Sequence, residues 1–167
     1  MALHTTYADL MRRTPYLARA RGSNLLNYIL RSLEQAADGK PVKGAAAAPD
    51  TQLVVISGHD TNLSNLSGML SISWLLPSYQ QDDVPPGGAL IFSLWQSPDD
   101  GGHSVRVQFV AQTLDQMHEA TTLSLSNPPP IANVFVPGCS TAQEGFSCEW
   151  RDFHRAVQAA IDPAFVH

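Results

Sequence analysis

The sequence predicts an α/β fold, and three observations carry that prediction. Apolar residues recur at helical spacing through residues 3–37, and residues 52–57 form a continuous apolar run. Residues 89–112 alternate apolar and polar side chains around a turn. With 167 residues, of which 44% are hydrophobic, the chain can bury a core of its own. We therefore expect one domain in which helices pack on a sheet.

The first 38 residues are predicted to form a helical segment with two helices. Gly22-Ser23-Asn24 is expected to separate them, because glycine weakens a helix and Ser23 or Asn24 can cap the next one. Pro15 is expected to kink or break the first helix, since proline lacks an amide proton and clashes with the preceding turn.

Residues 39–50 are predicted to be a linker, because Gly, Pro and Ala dominate and no periodicity survives. Residues 51–167 then make up the α/β part. Its apolar run at 52–57 predicts a buried strand, and residues 60–70 predict a helix whose leucines and methionine face inward.

The remaining elements follow from turn residues and alternation. Residues 77–88 predict a loop that ends in Pro-Pro-Gly-Gly. Residues 89–96 and 104–112 predict the two strands of a β-hairpin, because an Asp-Gly turn joins them. A short strand is expected at 131–136 and a final helix at 149–161, where one face is apolar.

Charge and hydropathy exclude two classes of partner. The net charge is −5 and no basic run occurs, which argues against binding nucleic acid. No apolar stretch approaches the length of a membrane span, so no membrane partner is expected. Only 15% of the residues are charged, which leaves apolar surface to be covered by further polypeptide or a partner.

The two cysteines, Cys139 and Cys148, enclose a short loop-like segment. Their spacing allows a disulfide, which would contribute about 2–3 kcal/mol by loop entropy, and it equally allows two free thiols. A zinc site is not expected, because no second cysteine pair or histidine pair accompanies them. We expect neither a metal nor a cofactor.

The candidate site begins where the predicted strand at 52–57 ends, with Gly58-His59-Asp60-Thr61-Asn62. Ligands of open α/β sheets bind at this edge. A histidine here can donate to a phosphate or carboxylate oxygen, and an aspartate can act as a general acid if its pKa is raised. A purely structural interpretation is equally open, with Asp60 as a helix N-cap and His59 as a hydrogen-bonded core residue.

A set of short motifs, in order along nearly the whole chain, decides between these interpretations. They are Leu3-His4, Arg13-Thr14-Pro15, Ala18-Arg19-Ala20-Arg21, Gly58 to Leu63, Pro85 to Gly88, Gln112 to Met117, Leu123-Ser124-Leu125, Gly138-Cys139 and Cys148. With these motifs the chain resembles the C-terminal portion of the histidine acid phosphatases, branch 2 of the histidine phosphatase superfamily. The resemblance is greatest to the bacterial periplasmic phytase and acid phosphatase type.

The resemblance implies a role for each site residue. Asp60 matches the proton donor to the leaving-group oxygen, and His59 matches a histidine that binds the transferring phosphate. Thr61 matches a substrate-contacting hydroxyl, and Arg21 matches a basic residue on the substrate side. The implied substrate is a small phosphate ester.

The resemblance also implies fold and location. It implies part of a three-layer sandwich like that of phosphoglycerate mutase, with a mostly parallel central sheet flanked by helices and followed by the hairpin and last helix. It makes Cys139 and Cys148 a disulfide, which implies an oxidising compartment, the periplasm. A signal peptide would then lie upstream of Met1.

One departure from the family pattern is large. The family's nucleophile is a histidine in an Arg-His-Gly-x-Arg-x-Pro motif, which is absent from these 167 residues. Arg12-Arg13-Thr14-Pro15 echoes that motif without a histidine and is interpreted as helix-flanking sequence. We therefore expect a fragment or truncated gene product that is inactive alone and self-associates through exposed apolar faces. The alternative is a non-catalytic anion-binding remnant, or a module that pairs with a separate chain bearing the nucleophile.

Overall fold

A computed structural model describes residues 2–167 as five helices, four strands and two short 3-10 turns. The helices are α1 (Ala2–Met11), α2 (Pro15–Asp38), α3 (Asp60–Leu70), α4 (Leu114–His118) and α5 (Trp150–Ala160). The strands are β1 (Ala89–Gln96), β2 (His103–Val110), β3 (Ile131–Val134) and β4 (Cys148–Glu149). The 3-10 turns span Glu144–Phe146 and Pro163–Phe165. None of the described helices combines the length and apolar character needed to cross a membrane.

The four strands form one antiparallel sheet. Strand β2 lies at its centre, paired with β1 on one side and with β3 and β4 on the other. The α/β class and the predicted hairpin are confirmed, but the mostly parallel central sheet is not present among the described strands. The hairpin strands follow one another through a short turn, and such connections can only join antiparallel neighbours.

The predicted strand at 52–57 is wrong for the described structure. These residues belong to no described strand or helix, and Leu53 and Val55 are 78% and 81% exposed. An apolar segment becomes a strand only when a neighbour supplies hydrogen-bond partners, and no described strand pairs with this one.

The first helical segment breaks directly before Pro15, as expected from that proline, and not at Gly22. Pro15 is the first residue of α2, where its missing amide proton costs least. Gly22 lies inside α2, so the predicted break there is wrong. A β-carbon at Gly22 would lie 2.6 Å from Met69 Sδ, so this glycine allows α3 to pack closely on α2.

The core lies between one face of the sheet and helices α2, α3 and α5. The alternation in β2 is confirmed, because Val105, Val107 and Phe109 are all buried. The Phe109 ring stacks on Trp74 at 4.4 Å between ring centroids. The helices contribute the buried side chains of Leu26, Leu30, Leu66, Leu70, Phe153 and Val157.

A disulfide joins Cys139 to Cys148 and ties the loop after β3 to β4. The two Cα atoms lie 5.2 Å apart, and Cys148 is buried within the core. The bridge therefore fixes the segment that leads into α5.

Candidate functional site

The site is built around the N-terminus of α3. His59 is the N-cap residue, with extended backbone, and Asp60 is the first residue of the helix. The His59 amide donates to Asn62 Oδ1 at 2.8 Å, which fixes the turn. Asp60 Oδ1 accepts from the Thr61 amide at 2.7 Å and from Thr61 Oγ1 at 3.3 Å. The purely structural interpretation places Asp60 at the N-cap position of α3. In the structure His59 occupies that position, and Asp60 is the next residue.

The other oxygen of Asp60 receives two side chains from the beginning of the chain. The guanidinium of Arg12, in the turn after α1, forms an ion pair with Asp60 Oδ2 through Nη1. His4 Nε2, from the first turns of α1, lies 3.2 Å from the same oxygen. Both carboxylate oxygens of Asp60 therefore have polar partners.

The neighbouring arginine explains how Arg12 is held in place. Arg13 Nη1 lies 2.5 Å from Asp82 Oδ2, and Arg13 Nη2 donates to the Ile72 carbonyl at 3.1 Å. The Arg13 backbone packs directly on α3, because a β-carbon at Gly68 would lie 2.6 Å from Arg13 Cα. This close approach holds the Arg12–Arg13 turn against the C-terminal half of α3, and the Arg12 side chain contacts Asp60 at the other end of the helix.

These contacts change the pKa of Asp60. Partial burial acts to raise the pKa of Asp60, but the hydrogen bond and charge of Arg12, the Thr61 amide and the His4 contact act against it. The net pKa of Asp60 lies below its ordinary value. In this arrangement Asp60 is an ionised hydrogen-bond acceptor, and it would need to lose a partner before it could act as an acid.

The site is open to solvent on the His59 side. The His59 side chain is exposed, whereas Asp60 and Thr61 are partly buried. A cavity of about 530 Å³ lies nearby and includes Asp83, whose carboxylate is 4.0 Å from His4 Nδ1. Its other lining residues are Ser78, Tyr79, Gln80, Val84, Pro85, Pro86, Leu114 and Met117.

The structure brings together three of the four predicted substrate and acid residues. His59, Asp60 and Thr61 are consecutive at the start of α3. Arg21 is exposed in α2 and its Nη1 donates to the Met11 carbonyl at 3.5 Å, so it is not among the groups that contact Asp60.

The sequence predicts no site role for His4 or Arg12, the two side chains that contact Asp60 from α1 and the turn after it. In the sequence Arg12 is helix-flanking, and His4 is part of a family motif without an implied role. Neither residue has a local pattern that marks it, because the Arg12–Asp60 contact spans 48 positions of the chain. In the described part of the chain, no group of three or more His, Cys, Asp or Glu is arranged to hold a metal ion.

Comparisons with known proteins identify the family. Residues 2–110 match the histidine phosphatase superfamily (branch 2). Phytase AppA of Escherichia coli K12 is 37% identical over 164 residues, which are 98% of this chain and 37% of that protein. A glucose-1-phosphatase of Providencia rettgeri is 24% identical over 160 residues, which are 96% of this chain and 36% of that protein.

A solved structure agrees with these sequence matches. The phytase of Hafnia alvei, in complex with myo-inositol hexakis sulphate, superposes with a TM-score of 0.87 and 37% identity. The match covers 99% of this chain and 40% of that one, so the chain spans less than half the length of the relatives it matches. The chain belongs to the histidine phosphatase superfamily, branch 2.

Proposed function

We propose that this chain is the C-terminal portion of a phytase-like histidine acid phosphatase and supplies the proton donor of its phosphomonoesterase site. The observation that carries the proposal is the His59-Asp60 pair at the start of α3, in a chain of this family. Asp60 is the proposed donor. His59 and Thr61 are proposed to bind the phosphoryl oxygens, and Arg21 to contribute positive charge on the substrate side.

The proposed reaction has two steps. A histidine outside these residues attacks phosphorus, the bond to the leaving oxygen breaks, and Asp60 gives that oxygen a proton. Water then attacks the phosphohistidine and releases inorganic phosphate. Covalent catalysis divides one difficult displacement into two easier ones. Donors at His59 and Thr61 would stabilise the negative charge that spreads over the phosphoryl oxygens.

The nucleophile is proposed to come from further polypeptide that completes the domain. Residues 53–56 support this proposal, because they are apolar and exposed and lie just before the site in the chain. A strand supplied alongside them would pair their backbone groups, bury their side chains and extend the sheet with parallel strands. Residues 51–167 would then be the C-terminal part of a larger α/β unit, with the helical segment 1–38 and the linker 39–50 before it.

The same observation favours one alternative. A separate chain that carries the nucleophile could cover residues 53–56 and complete the site between two polypeptides. A remnant that only binds anions would leave this apolar segment without a partner, and that possibility is the less favoured.

The substrate class follows from the relatives and the chemistry. Two relatives are named phytase and glucose-1-phosphatase, so phosphomonoesters of polyols and sugars are the proposed substrates. The Cys139–Cys148 disulfide supports an oxidising compartment, and we propose the periplasm.

The test is p-nitrophenyl phosphate hydrolysis in the acid range by two proteins. One is the 167-residue chain, and the other is this chain joined to the N-terminal portion of the Hafnia alvei phytase. We expect no turnover from the first and turnover from the second, which disappears when the added nucleophilic histidine is changed to alanine. Turnover by the chain alone, or a folded but inactive joined protein, would contradict the proposal.

A further inference from the structure

Asp60 is the proposed proton donor, yet the structure holds it as a fully engaged carboxylate. Its Oδ1 accepts from Thr61, and its Oδ2 contacts both Arg12 and His4. An ion-paired carboxylate carries no proton to donate. If the proposed function is right, binding of substrate must change the partners of Asp60.

We propose that Arg12 exchanges between two anions: it pairs with Asp60 while the site is empty, and it turns to the phosphoryl group when a phosphomonoester binds. This exchange frees Asp60 to take a proton from solvent, and the same proton later passes to the leaving-group oxygen. Arg12 is then a phosphate-binding residue. It also keeps Asp60 ionised until substrate binding breaks the Arg12–Asp60 contact. The inference rests on the proposed function.

The geometry of Arg12 suits such an exchange. Its contact with Asp60 is made through Nη1, a single-nitrogen contact rather than a two-point one. A phosphoryl dianion carries more charge than a carboxylate and can accept two parallel N–H bonds from a guanidinium. Tyr7 supports the Arg12 side chain, with its ring centroid 5.5 Å from Arg12 Cζ. A small rotation about the side-chain bonds would move the charge without moving the backbone.

The adjacent arginine cannot take this role. Arg13 lies against Asp82 and Asp9 and also donates to the Ile72 carbonyl. These partners come from α1 and from the segment after α3, so they anchor Arg13 between the two. Arg13 therefore holds the turn between α1 and α2 in place, and the Arg12 side chain extends from this turn to Asp60.

The remaining charged groups around Asp60 are few within residues 2–167. His4 reaches it from α1, and His59 precedes it in the chain. Asp83, in the loop after α3, faces His4 rather than Asp60, at 4.0 Å. His4 stays in contact with Asp60 when Arg12 leaves, so it can orient the carboxyl while the proton is taken up.

The exchange can be measured by NMR on the whole chain with ¹³Cγ-labelled aspartate, following the titration of Asp60. The probe is inorganic sulfate, a tetrahedral dianion that stays ionised through the acid range. Sulfate should raise the titration midpoint of Asp60 in the native chain. Arg12→Gln should raise that midpoint by about one pH unit without sulfate, since an adjacent opposite charge is lost. It should also weaken the response to sulfate.

Two further variants separate charge from structure. Arg12→Lys keeps the charge and should restore most of the native midpoint. Arg155→Gln removes an exposed arginine that pairs with Asp152 on α5, and it should leave the Asp60 titration as in the native chain.

Two results would overturn the inference. One is an Asp60 midpoint that Arg12→Gln does not move. The other is a native midpoint that sulfate does not move. Because neither readout depends on turnover, the activity of the joined protein described above tests the proposed function separately.

Discussion

Arg12 and Asp60 lie 48 positions apart in the chain, and the guanidinium of one contacts the carboxylate of the other at the start of α3. The contact joins the turn between α1 and α2 to the segment that carries the His59-Asp60 pair. It helps to lower the pKa of the proposed acid, and it depends on how closely α3 approaches that turn.

The close approach at Gly68 gives the first prediction. A methyl group there would overlap the Arg13 backbone, so Gly68→Ala should lower the free energy of unfolding by about 1–3 kcal/mol through overpacking, despite alanine's higher helix propensity. It should also displace Arg12 from Asp60. Urea unfolding measures the loss. Gly102→Ala is the control, because the atoms nearest its β-carbon would be those of the Asp100 side chain and not backbone atoms, and an equal effect in both variants would contradict the packing explanation.

The disulfide gives the second prediction. Material from an oxidising compartment should be lighter by two hydrogens than the reduced chain, by mass spectrometry without reductant. Replacing both Cys139 and Cys148 by serine should cost about 2–3 kcal/mol of stability, since the bridge restricts the unfolded chain. Two freely alkylated thiols in that material would refute the bridge.

The exposed apolar run gives the third prediction. Val55 is 81% exposed in an apolar segment that pairs with no described strand, so the isolated chain should self-associate through it. Val55→Lys should reduce the associated fraction seen in sedimentation velocity. Leu125→Lys removes an even more exposed apolar side chain outside this segment and should change nothing. A chain that stays monomeric, or two variants that behave alike, would argue against the segment as an interface.

The lowered pKa of Asp60 gives the fourth prediction. Burial acts to raise this pKa, but Arg12, Thr61 and His4 outweigh it, so the folded chain binds the Asp60 proton more weakly than the unfolded chain. The stabilisation is therefore present above the unfolded-state pKa and is lost as pH falls through the folded-state pKa. Native chain and Asp60→Asn should differ most in unfolding free energy near neutral pH.

Urea unfolding at a series of pH values checks this expectation. The difference between the native chain and Asp60→Asn should shrink steadily as the solution becomes acidic. Asp99→Asn, in the exposed hairpin turn, controls for the loss of one negative charge. A difference that stays constant across the series would mean that Asp60 does not contribute through its ionisation.

Local patterns explain the parts of the fold that could be predicted from the sequence. Helix α3 and the β1–β2 hairpin form where expected, because periodicity, capping and turn residues act within a few positions. The break at Pro15 was predictable, but the one predicted at Gly22 is absent because the effect of this glycine depends on its neighbour. In isolation a glycine weakens a helix, but here it admits Met69 of α3.

The features that could not be predicted depend on distant contacts or on polypeptide outside the described residues. An apolar run such as 53–56 predicts a strand, but only a neighbouring strand can make it one. His59, Asp60 and Thr61 could be selected because they are consecutive and match a family motif. Arg12 could not, since its partner is set by the packing of α1 on α3 and not by any spacing in the sequence.

The proton-donor role of Asp60 is tested most directly by its effect on two leaving groups. In the joined protein, the rates of p-nitrophenyl phosphate and of an alkyl phosphate are compared for the native sequence and Asp60→Asn. An alkoxide leaves poorly without a proton, so alkyl-phosphate turnover should fall by about 10²–10⁴-fold, and p-nitrophenyl phosphate turnover far less. His59→Ala should slow both substrates alike, because it removes stabilisation of the phosphoryl group itself. An Asp60→Asn enzyme with unchanged alkyl-phosphate turnover would show that Asp60 is not the acid.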